Sequence, residues 1–198
     1  MQPDNKMMLR GQRVQLVPFC SKYWENIAKW FYDTDYKEFF RQFTRTLTED
    51  DFKVYDKLIQ AEVFIIHSLK DNNIMGFLQL VPCSKKNKAG YLGLLIDKSS
   101  QDIRISNEVT YLILDYLFNR QGYNKVIIEI LESNEGLRKT LEKTGFYKEG
   151  KLLQECFMDG KFCNELRYSM SAYYFNKNKD NFLKGYNLWV ESLNQQHS

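Results

Sequence analysis

The chain of 198 residues has few of the side chains that cross-link a fold or hold a metal. It contains four cysteines and two histidines, and no two cysteines have the Cys-x-x-Cys spacing of a zinc site. We therefore expect no metal site. Cys156 and Cys163 flank Asp159-Gly160 symmetrically and would lie opposite each other in a hairpin. Because the cytosol keeps thiols reduced, we expect this pair to stay unbridged.

Long apolar runs and an excess of one charge are also missing. No stretch reaches the roughly 18 uninterrupted apolar residues of a membrane span, and the N-terminus lacks the apolar segment of a signal peptide. The 28 basic and 25 acidic side chains are mixed along the chain and leave a net charge of +3. No basic stripe predicts nucleic-acid binding. We expect a cytoplasmic protein that binds neither membranes nor nucleic acids.

What is present is an ordinary globular composition, with 43% apolar, 27% charged and 15% aromatic residues. The apolar periodicity predicts an α/β chain in the order β-α-α-β-β-β-α-β-α and then β-β. Asp159-Gly160 between two alternating runs is the strongest turn signal. The predicted strands are 12–17, 63–68, 74–81, 91–96, 126–131, 151–158 and 161–168, and the helices begin near residues 21, 48, 106 and 134.

The end of the chain is read as a separate extension. Phe182, Tyr186, Trp189 and Leu193 recur at helical spacing, which predicts an amphipathic helix. We therefore divide the chain into a domain of residues 1–170 and a helical extension of residues 171–198. The extension would cap a substrate site, pack on the sheet or mediate a homodimer, and its sequence does not choose among these.

Two segments carry a family resemblance. The first is Leu92-Gly93-Leu94-Leu95-Ile96-Asp97, followed by a polar loop and by Asn107-Glu108 at the start of a helix. The second begins at Asn134 and ends in Glu142-Lys143-Thr144-Gly145-Phe146. Together, at this spacing, they resemble the GCN5-related N-acetyltransferases (GNATs). The later hairpin is similar to the branch that includes ribosomal-protein N-terminal and spermidine acetyltransferases. The resemblance covers about residues 9 to 170.

The resemblance implies a GNAT fold, with a mixed central sheet of about seven strands flanked by helices, and acetyl-CoA as co-substrate. A splayed strand would pair its backbone with the pantetheine amides, and the next helix would offer its N-terminal N–H groups to the pyrophosphate. On this basis the cofactor-binding residues are Leu94, Leu95 and Ile96 on the strand, Gln101, Arg104, Ser106 and Asn107 at the phosphates, and Asn134 at the pantetheine.

The chain departs from the family pattern in the phosphate loop and in the second helix. Arg104 replaces the first loop glycine, and Asp102 adds a carboxylate that would repel the pyrophosphate. A phosphate contact from Arg104, or the hydroxyl and N–H of Ser106, would compensate. Leu141 stands where many relatives have a tyrosine that protonates the CoA thiolate. Leu137 replaces a small or hydroxylated residue.

Other polar residues are interpreted structurally. Glu108 would meet the helix dipole in the first turn, and His67 is expected to be a packed or surface histidine. Asp97 receives no catalytic role. The aromatic cluster Trp30, Phe31, Tyr32, Tyr36, Phe39, Phe40 and Phe43 is read first as core packing, and otherwise as a substrate or protein-binding surface.

The function that follows is acetyl transfer from acetyl-CoA to a primary amine: a peptide N-terminus, a polyamine or another small amine. No catalytic base is assigned, because the amine can lose its proton through water. The alternative is a catalytically inactive GNAT-like protein that binds a partner through the aromatic helices or the Trp189 tail. Decay of the phosphate loop and Leu141 favour this alternative, and the retained Gly145-Phe146 and Asn134 favour the enzyme.

Overall fold

The computed structural model describes residues 8–40, 50, 61–100 and 102–180. The strands are β1 (Leu9–Arg10), β2 (Val14–Pro18), β3 (Glu62–Ser68), β4 (Ile74–Ser84), β5 (Ala89–Ile96), β6 (Lys125–Leu131), β7 (Tyr147–Met158) and β8 (Lys161–Ser171). The helices are α1 (Trp24–Tyr32), α2 (Ile103–Asp115), α3 (Glu135–Lys143) and α4 (172–180). One π-helical turn, Tyr116–Arg120, continues α2.

The strands form one mixed sheet in the order β1-β2-β3-β4-β5-β6-β8-β7. Neighbours are antiparallel except for β5 and β6, which are parallel and connected through α2. The predicted α/β fold with a mixed sheet flanked by helices is confirmed, with one more strand, β1, than the seven expected. In the described parts of the chain, no helix is long and apolar enough to cross a bilayer.

The sheet carries a hydrophobic cluster on each face. The larger one packs beneath α2 and α3 and includes Phe64, Ile66 and Leu78. The other packs beneath α1 and includes Ile65 and Phe77. Neighbouring residues of β3 thus enter opposite clusters, which is why a strand buried on both faces has a continuous apolar sequence.

The aromatic residues at the end of α1 and just after it belong mainly to the smaller cluster. Trp30 and Phe40 are buried, and their rings stack near that of Phe77. Core packing is therefore confirmed for these two, whereas Tyr32 is exposed. Phe43 lies outside the described residues, as do most of the helix predicted from Thr48 and the four residues that predicted the C-terminal helix, Phe182, Tyr186, Trp189 and Leu193.

The start of the C-terminal extension is helical and joins the main core. Phe175 in α4 is fully buried, with its ring close to those of Tyr111 and Phe118. Lys179 forms an ion pair with Asp115 at 2.6 Å. The division at residue 170 remains a prediction, but this first part of the extension packs as part of the domain.

The hairpin of β7 and β8 has the predicted turn. Asp159 and Gly160 both have positive φ, of 52° and 79°, as a type I′ turn requires. Cys156 lies opposite Cys163 in the register, and no disulfide joins them. The two cysteines therefore face each other across the hairpin as half-buried residues.

The start of α2 was predicted wrongly. The helix begins at Ile103 rather than near Ser106, because Asp102 is its N-cap and accepts a hydrogen bond from the Arg104 N–H at 2.9 Å. The resemblance predicted the helix start at Asn107-Glu108, whereas the cap lies five residues before Asn107. The shift changes the surroundings of every polar residue in this turn.

Glu108 also differs from its predicted role, because it lies in the second turn of α2 and is almost fully buried. Its Oε1 accepts hydrogen bonds from the N–H groups of Gln12 and Arg13 at 2.6 and 2.8 Å, and its Oε2 pairs with the Arg13 guanidinium at 3.2 Å. A Cβ on Gly11 would collide with Oε1. Glu108 therefore ties α2 to the turn between β1 and β2.

Replacing Glu108 by Ala should lower the free energy of unfolding by about 3 kcal/mol, because buried N–H groups and the Arg13 charge lose their partner. Urea denaturation of wild type and variant measures this difference. Glu135→Ala is the control, since Glu135 is exposed and pairs with Lys139 four residues later on the helix surface. Equal losses in the two variants would contradict the role given to Glu108.

Candidate acetyl-CoA site

A cleft opens where the two parallel strands separate. β5 pairs with β6 only over Ala89–Tyr91, opposite Lys125–Ile127. The rest of β5, Leu92–Ile96, stays in register with β4 on its other side. In the described structure, the β6-facing backbone of this segment therefore has no strand beside it. Leu94, Leu95 and Ile96 lie in this segment, and their contact with pantetheine remains a prediction.

The two faces of the splayed segment differ. Leu92, Leu94 and Ile96 pack with the cluster beneath α2 and α3, whereas Leu95 belongs to the cluster beneath α1. The N-termini of α2 and α3 both follow strands of this cleft at the same edge of the sheet. Their unpaired N–H groups and positive dipole ends favour an anion here.

The N-terminus of α2 carries a closed ion pair. The Arg104 guanidinium contacts the Asp102 carboxylate through Nε, at 2.6 Å from Oδ1, and through a second nitrogen. Hydrogen bonding from Arg104 lowers the pKa of Asp102 despite partial burial, so the carboxylate is ionised near neutral pH. The expected repulsion by Asp102 is therefore partly neutralised, and so is the charge that Arg104 would offer a phosphate.

The other residues predicted at the phosphates are placed differently. The N–H of Ser106 donates to the Asp102 carbonyl at 3.1 Å, so this N–H is already used inside the helix. Asn107 is exposed in the second turn. Gln101 lies outside the described residues. The phosphate roles of Gln101, Arg104, Ser106 and Asn107 remain predictions.

Asn134 is the N-cap of α3, directly after β6. Its Oδ1 accepts from the Leu137 N–H at 3.0 Å, and its Nδ2 donates to Glu38 Oε1 at 3.0 Å. Both ends of the amide are thus occupied. A contact with pantetheine requires Nδ2 to leave or share Glu38, which sequence reasoning did not suggest.

The segment after α1 is bound to three elements around the cleft. Besides the contact of Glu38, Tyr36 donates to Asp97 at the end of β5 at 3.3 Å, and Lys37 pairs with Asp159 in the β7–β8 turn at 2.7 Å. Residues 36–38 therefore lie along the α1 side of the cleft. We call them the crossing segment.

Asp97 is a hydrogen-bond acceptor rather than a base. It accepts from Trp30 Nε1 at 2.7 Å as well as from Tyr36. Burial alone would raise the pKa of Asp97, but hydrogen bonds from Ser99, Trp30 and Tyr36 outweigh burial and lower it. A carboxylate with a lowered pKa is a weak proton acceptor, so Asp97 fits the structural role predicted for it.

A row of three polar side chains, Tyr91, Glu129 and Arg167, crosses the start of the cleft on the α1 side. Arg167 of β8 lies opposite Glu129 of β6 and pairs with it at 2.6 Å, and its NH2 group also donates to the Tyr91 hydroxyl of β5 at 3.3 Å. Burial raises the pKa of Tyr91, so its hydroxyl stays protonated near neutral pH. The sequence did not identify this row, although Glu129 is a lone charge within an apolar strand.

In α3, the position where many relatives have a tyrosine as general acid holds Leu141, which has no proton to donate. Leu141 is only 4% exposed and packs in the core, whereas Leu137 is exposed. Tyr168 lies beneath α3 and donates to Glu142 at 2.9 Å, so that α3 is fixed to β8. Within the described residues no three His, Cys, Asp or Glu side chains cluster to hold a metal.

Comparison with known proteins decides the family. The profile of the acetyltransferase (GNAT) domain matches residues 13–147. The chain belongs to the GNAT family. GNAT enzymes take the acetyl group from acetyl-CoA, which is the ligand that the cleft was predicted to hold.

Two relatives and one solved structure illustrate the match. The SPbeta prophage-derived uncharacterized N-acetyltransferase YokL of Bacillus subtilis is 26% identical over 125 residues, covering 63% of this chain and 71% of that protein. Spermidine N(1)-acetyltransferase of Vibrio cholerae is 21% identical over 157 residues, or 78% and 86% of the two chains. The crystal structure of spermidine N-acetyltransferase from Vibrio cholerae with CoA and spermine superposes with a TM-score of 0.75 at 15% identity, covering 83% and 99%. At this identity the superposition shows the fold.

The attachment of α3 should weaken at high pH. Burial and the bond to Glu142 raise the pKa of Tyr168 from 10.0 to about 12. The folded chain thus holds this proton more tightly than the unfolded chain does. Tyr168 therefore stabilises the fold fully below about pH 10, and this contribution is lost as the pH rises toward 12.

Denaturation at about pH 9 and about pH 11 should show a smaller loss of stability for Tyr168→Phe than for wild type. Tyr147→Phe is the control, because Tyr147 is 74% exposed. If all three proteins lost the same stability, the proton on Tyr168 would not be held by the fold.

Proposed function

We propose that this chain transfers an acetyl group from acetyl-CoA to a primary amine. The observation that carries the proposal is the early separation of β5 from β6, which leaves strand backbone facing a cleft between two helix N-termini. Extended backbone without a neighbouring strand suits the amides of pantetheine, and helix N-termini suit its phosphates. Membership of the GNAT family supports the same donor.

The donor would be held by three sets of groups. Backbone of Leu94–Ile96 would pair with the pantetheine arm, and the N–H groups of this segment that point toward β6 would hold the thioester. Arg104 and the first turn of α2 would meet the phosphates, with Gln101, Ser106 and Asn107 beside them. Asn134 would reach the pantetheine after sharing or leaving Glu38.

The chemistry is direct attack of the neutral amine on the thioester carbonyl. A C–N bond forms, the C–S bond breaks, and the CoA thiolate leaves with the electron pair. The amine proton passes to water, because Asp97 has a lowered pKa and Glu129 is paired with Arg167. Solvent would protonate the thiolate, since Leu141 offers no acid. The absence of one general acid costs about 10²–10⁴ in rate.

The acceptor would enter from the α1 side, where the crossing segment and the row of Tyr91, Glu129 and Arg167 lie. Carboxylates there, including Glu38, would attract a cationic amine. The relative from Vibrio cholerae is a spermidine acetyltransferase, so polyamines, small amines and peptide N-termini are the classes to screen. A cytoplasmic location and a homodimer remain predictions of the sequence.

The competing function is a catalytically inactive binding protein. The ion pair of Arg104 with Asp102 and the buried Leu141 favour it, because both remove groups that would serve the donor or the leaving thiolate. The two functions differ first in whether acetyl-CoA binds. Variants of the ion pair between Asp102 and Arg104 at the start of α2 therefore test whether acetyl-CoA binds.

Asp102→Asn should tighten acetyl-CoA binding by roughly tenfold, because Asn keeps the helix cap while removing the anion that neutralises Arg104. Arg104→Ala should weaken binding by a similar factor. Calorimetry at low salt measures both, with Lys70→Ala in the exposed turn between β3 and β4 as a control for the loss of a surface charge. An amine screen by thiol release then tests transfer. No binding by wild type or Asp102→Asn would overturn the enzyme and favour the binding protein.

A further inference from the structure

A second cavity lies two strands away from the cleft, between β2, β3 and the beginning of α1. Its volume is about 550 Å³, which is within the size range of small-molecule sites. The polar side chains on its wall include Gln15, Lys22, Tyr23, Asn26 and His67. None of these residues was assigned to acetyl transfer, and the cavity requires an explanation of its own.

His67 is the most unusual group in this wall. It is only 6% exposed, and its Nδ1 lies 3.2 Å from the Asn72 carbonyl oxygen. A carbonyl oxygen only accepts, so Nδ1 carries a proton, and in this tautomer Nε2 is an acceptor. Among the described residues Nε2 has no hydrogen-bond partner. A buried acceptor without a partner is costly and calls for a donor.

The local backbone sets the position of the His67 ring. The register between β3 and β4 shifts between Ile66 and His67, so a bulge lies directly beside the histidine. Bulges re-aim side chains and are frequent next to binding sites. The Tyr23 ring meets the His67 ring edge to face at 5.4 Å. The imidazole is therefore held between a strand irregularity and the turn before α1.

The charge of the wall is positive. Lys22 Nζ lies 4.7 Å from the centre of the Tyr23 ring, and no carboxylate is among the residues that line the cavity in the described structure. A hydrogen bond with Tyr23 raises the pKa of Lys22, so the ammonium stays charged. Val17 and Ile74 add apolar surface. An occupant therefore meets one cation, one buried acceptor and an apolar wall.

We propose that this cavity binds a small organic carboxylate that carries a hydroxyl group and a short apolar body. The carboxylate pairs with Lys22, the hydroxyl donates to His67 Nε2, and the apolar part lies against Val17 and Ile74. Because Nε2 is shielded from solvent, the wall of the cavity must rearrange locally for the hydroxyl to reach it. The site does not depend on the acetyl-transfer proposal, since its residues lie outside the β5–β6 cleft.

The test is a titration of the full chain with phenyllactate, followed by NMR of the His67 ring and the Asn26 side-chain amide. Two matched probes dissect the recognition. Phenylpropionate lacks the hydroxyl, and phenyllactamide lacks the charge. Phenyllactate is expected to shift both resonances and to bind roughly tenfold more tightly than either matched probe.

Two variants assign the contacts. Lys22→Met keeps the side-chain length and removes the charge, and should abolish the preference for phenyllactate over phenyllactamide. His67→Phe keeps a ring against Tyr23 and should abolish the preference over phenylpropionate. Lys70→Met in the nearby exposed turn is the control and should bind as wild type does. If His67→Phe fails to fold, Lys22→Met still tests the carboxylate contact.

Two results would overturn the proposal. One is that phenyllactate leaves the His67 and Asn26 resonances unshifted, in which case a bound water satisfies Nε2. The other is that Lys22→Met binds phenyllactate as tightly as wild type does, which would reduce the cavity to a non-specific apolar surface.

Discussion

The structure depends on a sheet whose two halves are joined at its centre by only three residue pairs. β5 and β6 meet over Ala89–Tyr91 and then diverge, although both continue as strands. Backbone groups that lose a neighbouring strand need another partner. The fold tolerates the gap because the cluster beneath α2 and α3 holds both strands from one face, and the row of Tyr91, Glu129 and Arg167 connects them from the other.

The departures from the family pattern have a common physical form. Where small loop residues would let a phosphate approach the backbone, this chain has an N-cap aspartate closed by Arg104. Where an amide would face pantetheine, Asn134 already holds Glu38. In both places the group that would serve the donor is engaged by a neighbouring side chain. In the proposed binding mode, acetyl-CoA would therefore exchange existing contacts for new ones, which would lower its affinity but keep the site ordered before binding.

Much of the fold was readable from the sequence, because periodicity and turn chemistry are local. β3, β4 and the Asp159-Gly160 hairpin followed from apolar alternation and turn residues. The start of α2 was missed, since Asp102 was judged by its charge toward a phosphate rather than by its capacity to cap a helix. Glu108 was read within its own helix, whereas its partners lie about 95 residues earlier in the chain.

The cleft itself was only partly predictable. Its strand residues were proposed through the family resemblance, but the contact of Asn134 with Glu38 and that of Tyr91 with Arg167 join elements far apart in sequence. No spacing rule connects such pairs. The cavity beside His67 was not predicted, because a lone histidine in a strand is most often a packed residue.

The central claim is that acetyl-CoA occupies the gap between β5 and β6, and amide hydrogen exchange with and without this ligand tests it most directly. The account predicts slower exchange at Leu94–Ile96 and in the first turn of α2, with no change in β2 and β3. Unchanged exchange along β5 under saturating acetyl-CoA would contradict the account, even if binding were detected elsewhere.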